Sequence, residues 1–268
     1  MWRQDQAGQV CAFTAAAAVN NRSLFPCQEP PVAMASWQCV IETNPQDLTV
    51  LCTGDEDGIL MEKGHYFYTQ MILPMSTFAV AIGKWSAIDF VLPTPNNPKI
   101  GVCKKLHEPY PCHIMKGDQG PLIPCKLYGP EFLVKLAKKL WKIYLQASLE
   151  SAYELLGNEM DPEHRDITLN HLAFILGQHP FQKLDIVIVP RCYSGLGLAS
   201  PSLMFVSQSL VLGNEDAGML IRISHEISHN WFGLLIGAKD WTEEWLTEVL
   251  FTIIFQAGKT LALRDRYS

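Results

Sequence analysis

The spacing of hydrophobic and polar positions changes character near residue 129. Before about residue 100, short runs rich in β-branched and aromatic residues are separated by Pro, Gly, Asp and Asn, which predicts strands over 36–43, 48–53, 65–73 and 78–83. Tyr66 and Tyr68 alternate with Phe67, the period of a strand with two distinct faces. Pro93, Pro95, Pro98 and the stretch 109–124 read as a loop or interdomain connection. Beyond Gly129 the spacing turns helical. Leu133, Leu136, Leu140 and Ile143 predict a helix over 131–145 with those residues inward. Further helices are expected over 148–156, 168–176, 217–235 and 242–255, the last with Thr242 as N-cap and Glu243 and Glu244 in its first turn. The run 184–189 predicts a buried strand closed by Pro190, and 202–211 a further strand. The expectation is an α+β fold with two domains, a β domain over 1–128 and a second domain over 129–268.

Composition narrows the possibilities. The 268 residues are 48% hydrophobic, enough for one large or two modest cores. Net charge is −6 and no basic run stands out, so nothing points to nucleic acid. No run of 18 apolar residues predicts a membrane span, and the N-terminus does not read as a signal peptide. The eight cysteines show no CxxC spacing. They are expected to be reduced and to pack as small apolar groups in a cytoplasmic protein, with a nuclear or nucleolar pool left open.

One constellation carries chemistry. His225, Glu226 and His229 form HExxH within the helical pattern of 217–235. Residues four apart share a helix face, so both imidazoles can reach one ion. Zinc favours such nitrogen ligands, and Glu226, one step round the helix, is placed to act on water as a general base. A catalytic zinc needs a third protein ligand. Glu248 follows His229 with 18 residues between, a spacing that a turn and a returning helix fit. The bland alternative is a solvated or core histidine pair, because HExxH alone also occurs by chance.

The stretch from His225 to Glu248 resembles the zinc aminopeptidase family, whose pattern includes Trp231-Phe232-Gly233 and Trp245-Leu246. Asn21 to Pro31 is similar to an Arg-x-x-Phe-Pro-Cys segment of that family's N-terminal β domain. Pro74 to Gly83 resembles a later strand of that domain, and Leu184 to Pro190 resembles the strand before the substrate-binding edge. The resemblance implies a β-sandwich-like domain followed by an incomplete thermolysin-like α/β catalytic domain. It implies one zinc ion on His225, His229 and Glu248, a peptide substrate, and Glu226 activating the water that attacks the first peptide carbonyl. Gly197, Leu198, Ala199 and Ser200 take the place of the substrate-binding edge. That stretch continues to Pro201 where relatives carry Gly-x-Met-Glu-Asn, so the usual amine-binding carboxylate is lacking. After Glu248 the likeness stops, and the chain reads as a C-terminally shortened relative.

Two rival readings stand beside the peptidase: a non-catalytic zinc-binding short form acting as an interaction or structural protein, and a structural remnant without metal. Arg22 and Glu29 are expected to form a structural ion pair, and Trp231 and Trp245 to pack the two helices together. Oligomeric state is left open.

Overall fold

The structure is a computed structural model that describes residues 2–4, 8–14, 21–44, 47–57, 64–91, 124–137, 180–190, 196–212 and 217–245. The expected helices over 148–156 and 168–176, the rest of the 131–145 and 242–255 helices, and Glu248 lie outside the described residues.

Twelve described strands form three sheets. The first orders β1 (Trp2–Gln4), β2 (Val10–Phe13), β7 (Val80–Gly83) and β4 (Thr49–Cys52). The second orders β3 (Met34–Ile41), β6 (His65–Pro74) and β5 (Asp55–Asp57). The third orders β11 (Gly197–Ser200), β12 (Leu203–Ser207), β10 (Leu184–Val189), β9 (Pro124–Gly129) and β8 (Ser86–Val91). In it β12, β10 and β9 are parallel, and antiparallel β11 and β8 flank them. Strands from both sides of residue 128 therefore share this sheet.

Side-chain alternation stacks the sheets. On β4 and β7, Val50, Cys52, Val80 and Ile82 face the three-stranded sheet, meeting Trp37, Cys39, Ile41 and Phe67. Leu51 and Ala81 face the other way, onto Val187, Val189, Leu203 and Phe205 of the five-stranded sheet. On that sheet's far side Ile186, Ile188, Met204 and Val206 meet helix α1 (131–137) and helix α3 (Ala217–Ser228). Between β12 and α3 lies a short helix, α2 (Gln208–Leu212). The β10 run is continuously apolar, apart from Asp185, because both of its faces are covered.

The sequence reading holds for β3, β4, β6, β7 and β10 to within a few residues. It differs elsewhere. The segment expected as a strand over 202–211 is strand only to Ser207, where α2 begins. On α1 the buried residues are Leu133, Val134 and Ala137, while Leu136 is exposed. Gly129 explains the rotation: a Cβ there would lie 3.1 Å from Ile188 and 3.3 Å from Val134, so the missing side chain lets the helix start close on the sheet. Strands β8 and β9, bordering the Pro-rich stretch, escaped periodicity altogether.

Arg22 and Glu29 do pair. The buried Glu29 carboxylate accepts from Arg22 Nε at 3.0 Å and from the Arg22 backbone N–H at 3.1 Å. Among the described residues, no helix is long and apolar enough to cross a membrane.

Candidate active site

Helix α3 carries the site because its two faces have different partners. Ile223 and Ile227 are fully buried against the five-stranded sheet. His225 and His229, on an adjacent face, are half-buried. The helix ends at Ser228, not at residue 235 as its periodicity suggests. Local hydrogen bonds end it. Ser228 Oγ donates to the His225 carbonyl at 3.1 Å, and the Asn230 side-chain amide donates to the Ile227 carbonyl at 2.8 Å. Gly233, at φ +109°, then turns the chain back.

That turn has a chemical consequence. It brings the Phe232 carbonyl 3.1 Å from His229 Nδ1. A carbonyl only accepts, so Nδ1 carries the proton and Nε2 keeps its lone pair. A Cβ at residue 233 would lie 3.3 Å from His229 Nδ1, within the tight range. The His-x-x-x-Gly spacing therefore fixes the tautomer as well as the turn.

The two imidazoles meet edge to face, with 3.3 Å between His225 Nε2 and His229 Nε2. Zinc–nitrogen bonds of about 2.0–2.1 Å at a tetrahedral angle place two ligand nitrogens about 3.3–3.4 Å apart. The pair therefore fits one zinc ion. Burial, reinforced by His229 and Arg222, pushes the His225 pKa down to about 3, so its ring is neutral and ligand-competent at neutral pH. Glu248 lies outside the described residues, and among those described no group of three metal-binding side chains gathers.

Glu226 is buried beside the pair, its side chain only 2% exposed. Arg222, one turn earlier, approaches its Oε1 with Nε at 2.9 Å. The approach is off the axis of a good hydrogen bond, so it acts as charge compensation for a carboxylate taken out of water. Sequence reasoning missed Arg222, although its i, i+4 spacing to Glu226 was visible. The Phe232 carbonyl left no sequence signal, because a backbone group has none.

Strand β11 closes the other side. A Cβ on Gly197 would lie 2.6 Å from both Cγ and Oε1 of Glu226, so only glycine leaves the carboxylate its present position. Residues 196 and 207 pair through the Ser207 N–H and the Leu196 carbonyl at 2.9 Å, and the antiparallel register makes Leu198 and Ser200 the next hydrogen-bonded positions. Gly197 and Ala199 therefore turn their backbone N–H and C=O groups away from β12. Among the described residues β11 has no neighbour on that side. Leu198 instead packs its side chain toward Val187 and Phe205, Ser200 is buried, and Ala199 lies against Leu73, Phe181 and Leu234.

Beyond the site, local hydrogen bonds order residues 239–243. The Asp240 carboxylate, rather than Thr242, accepts there, taking both the N–H and the hydroxyl of Thr242. Glu243 accepts the Lys239 N–H at 3.3 Å. Trp231 is in the core, whereas Trp245 is exposed.

Known proteins resemble this chain in sequence and in fold. Residues 159–261 match the peptidase family M1 domain. The chain is 36% identical to human (Homo sapiens) aminopeptidase O across 92% of its own length and 30% of that protein. It is 24% identical to mouse (Mus musculus) aminopeptidase B, covering 92% of this chain and 31% of that protein. The chain thus spans about 30% of the length of these curated relatives. Its fold superposes on yeast LTA4 hydrolase with a TM-score of 0.65 over 95% of this chain and 32% of the other, at 19% identity. The chain thus resembles the M1 peptidase family in sequence, and its fold is that of the matching part of yeast LTA4 hydrolase.

Proposed function

We propose that this protein is a zinc metallo-aminopeptidase that removes N-terminal residues from peptides. The observation that carries the proposal is the 3.3 Å separation of His225 Nε2 and His229 Nε2 beside the buried carboxylate of Glu226. His225, His229 and Glu248 would hold one zinc ion. When bound, zinc supplies a Lewis acid that polarises a carbonyl and lowers the pKa of water. Glu226 takes the proton from the attacking water and passes it to the leaving amine. Arg222 keeps that carboxylate in place between proton transfers. The outward N–H and C=O groups of Gly197 and Ala199 bind the substrate backbone as an added strand, which aligns the scissile carbonyl with Glu226.

The test is turnover of aminoacyl reporter substrates by the full chain, with and without a chelator. Glu226→Gln keeps the side chain's size and removes the base. Zinc-dependent turnover that falls by about 10²-fold or more in Glu226→Gln is the expected result. Stoichiometric zinc without turnover would leave the non-catalytic zinc-binding reading, and no zinc uptake would sink the metal site itself.

A further inference from the structure

The two sheets nearest the N-terminus meet through an apolar layer that contains two thiols. Cys39 lies on β3, where it pairs across the ladder with Phe67. Cys52 lies on β4, opposite Val80 in the neighbouring sheet. Their sulfurs are 4.0 Å apart, and Trp37, Ile41, Val50 and Phe67 surround them. We propose that Cys39 and Cys52 are a redox-modification site that closes to a reversible disulfide stapling β3 to β4.

The geometry supplies the first requirement. A disulfide bond is about 2.05 Å long, so the sulfurs must approach by about 2 Å, which small rotations about their Cα–Cβ bonds supply. The partners also sit on strands of different sheets, so the bond would tie one sheet to the other through their apolar interface. Cys39 is half-buried, while Cys52 is buried. The two thiols differ in ionisation. The hydrogen bond from Cys52 lowers the Cys39 pKa, whereas burial raises that of Cys52 well above the ordinary thiol range. Cys39 is therefore the attacking sulfur and Cys52 the resolving one.

Oxidised glutathione serves as the oxidant. The Cys39 thiolate attacks one of its sulfurs, forming a mixed disulfide and expelling one glutathione thiolate, which takes up a proton. The Cys52 sulfur then attacks Cys39, forming the protein disulfide and expelling the second glutathione, which takes the Cys52 proton. Two protein thiols are oxidised and one glutathione disulfide is reduced to two thiols.

The test is to incubate the full chain with oxidised glutathione, block remaining thiols with a maleimide, digest, and map cysteines by mass spectrometry. The expected product links the Cys39 and Cys52 peptides and is lighter by two hydrogens than the reduced pair. Dithiothreitol restores both thiols. Cys52→Ser should stop at the glutathione adduct on Cys39, and Cys39→Ser should give neither adduct nor linkage at Cys52. In the unsubstituted protein, which needs no variant to fold, three results would overturn the proposal. These are maleimide on both cysteines, a persistent glutathione adduct on Cys39, or linkage of either cysteine to a different partner.

Discussion

Strands β3 and β10 are both well-formed strands, yet they sit in opposite environments. On β3 exposed and half-buried residues alternate from Met34 to Ile41, because only one face has a partner. On β10 all six residues are buried, because a β-sheet covers one face and two helices cover the other. The difference shows where this molecule can be altered. A two-faced strand transmits strain to both neighbours, and helix α3, which bears the histidines, is one of those neighbours.

Ile186→Ala against Val40→Ala is the sharpest test of that contrast. Ile186 is fully buried, and its truncation is expected to cost about 2–5 kcal/mol, while Val40, exposed, should change stability by no more than about 0.5 kcal/mol. Urea denaturation measures both, and equal losses would break the comparison. A smaller, more local effect is expected from Gly197→Ala. The new methyl group would displace the Glu226 carboxylate, so turnover should fall by about tenfold or more while zinc content holds. Unchanged turnover would mean that β11 does not constrain the base. Gly233→Ala strains a φ of +109° and crowds His229 Nδ1, so zinc affinity should weaken by about 10–100-fold, read by competition with a chromogenic chelator. The mildest change is Ser202→Gly. Ser202 holds φ 64° in the Pro201–Ser202 turn between β11 and β12, and glycine should add about 0.5–1 kcal/mol of stability. A drop in melting temperature would show that the buried serine side chain contributes more than its backbone strain costs.

Where an element's own pattern matches the faces its neighbours cover, the letters were readable. The strands β3, β4, β6 and β7 follow their alternation, and β10 its apolar run, interrupted only by Asp185. Reading failed where contacts that hydrophobic spacing does not record set the outcome. Leu136 matched the helical period but is exposed, because close approach at Gly129 turned α1 by one residue. Strands β8 and β9 owe their form to pairing with each other and with β10 rather than to their own pattern. The end of α3 at Ser228 depended on side-chain bonds from Ser228 and Asn230 that the apolar spacing of 217–235 does not record.

The sequence by itself determined that two imidazoles four residues apart stand on one helical face with a carboxylate between them, since helical pitch alone dictates it. It also determined the inward face of each one-sided strand. The free imidazole nitrogen of His229 is set by the local turn that brings up the Phe232 carbonyl, whereas only the tertiary structure decided how Glu226 is confined, through Gly197 of a strand nearly thirty residues earlier in the chain. The reason is physical: pitch and turns are properties of neighbouring residues, whereas a missing Cβ on a distant strand acts only once folding has brought that strand within about 3 Å.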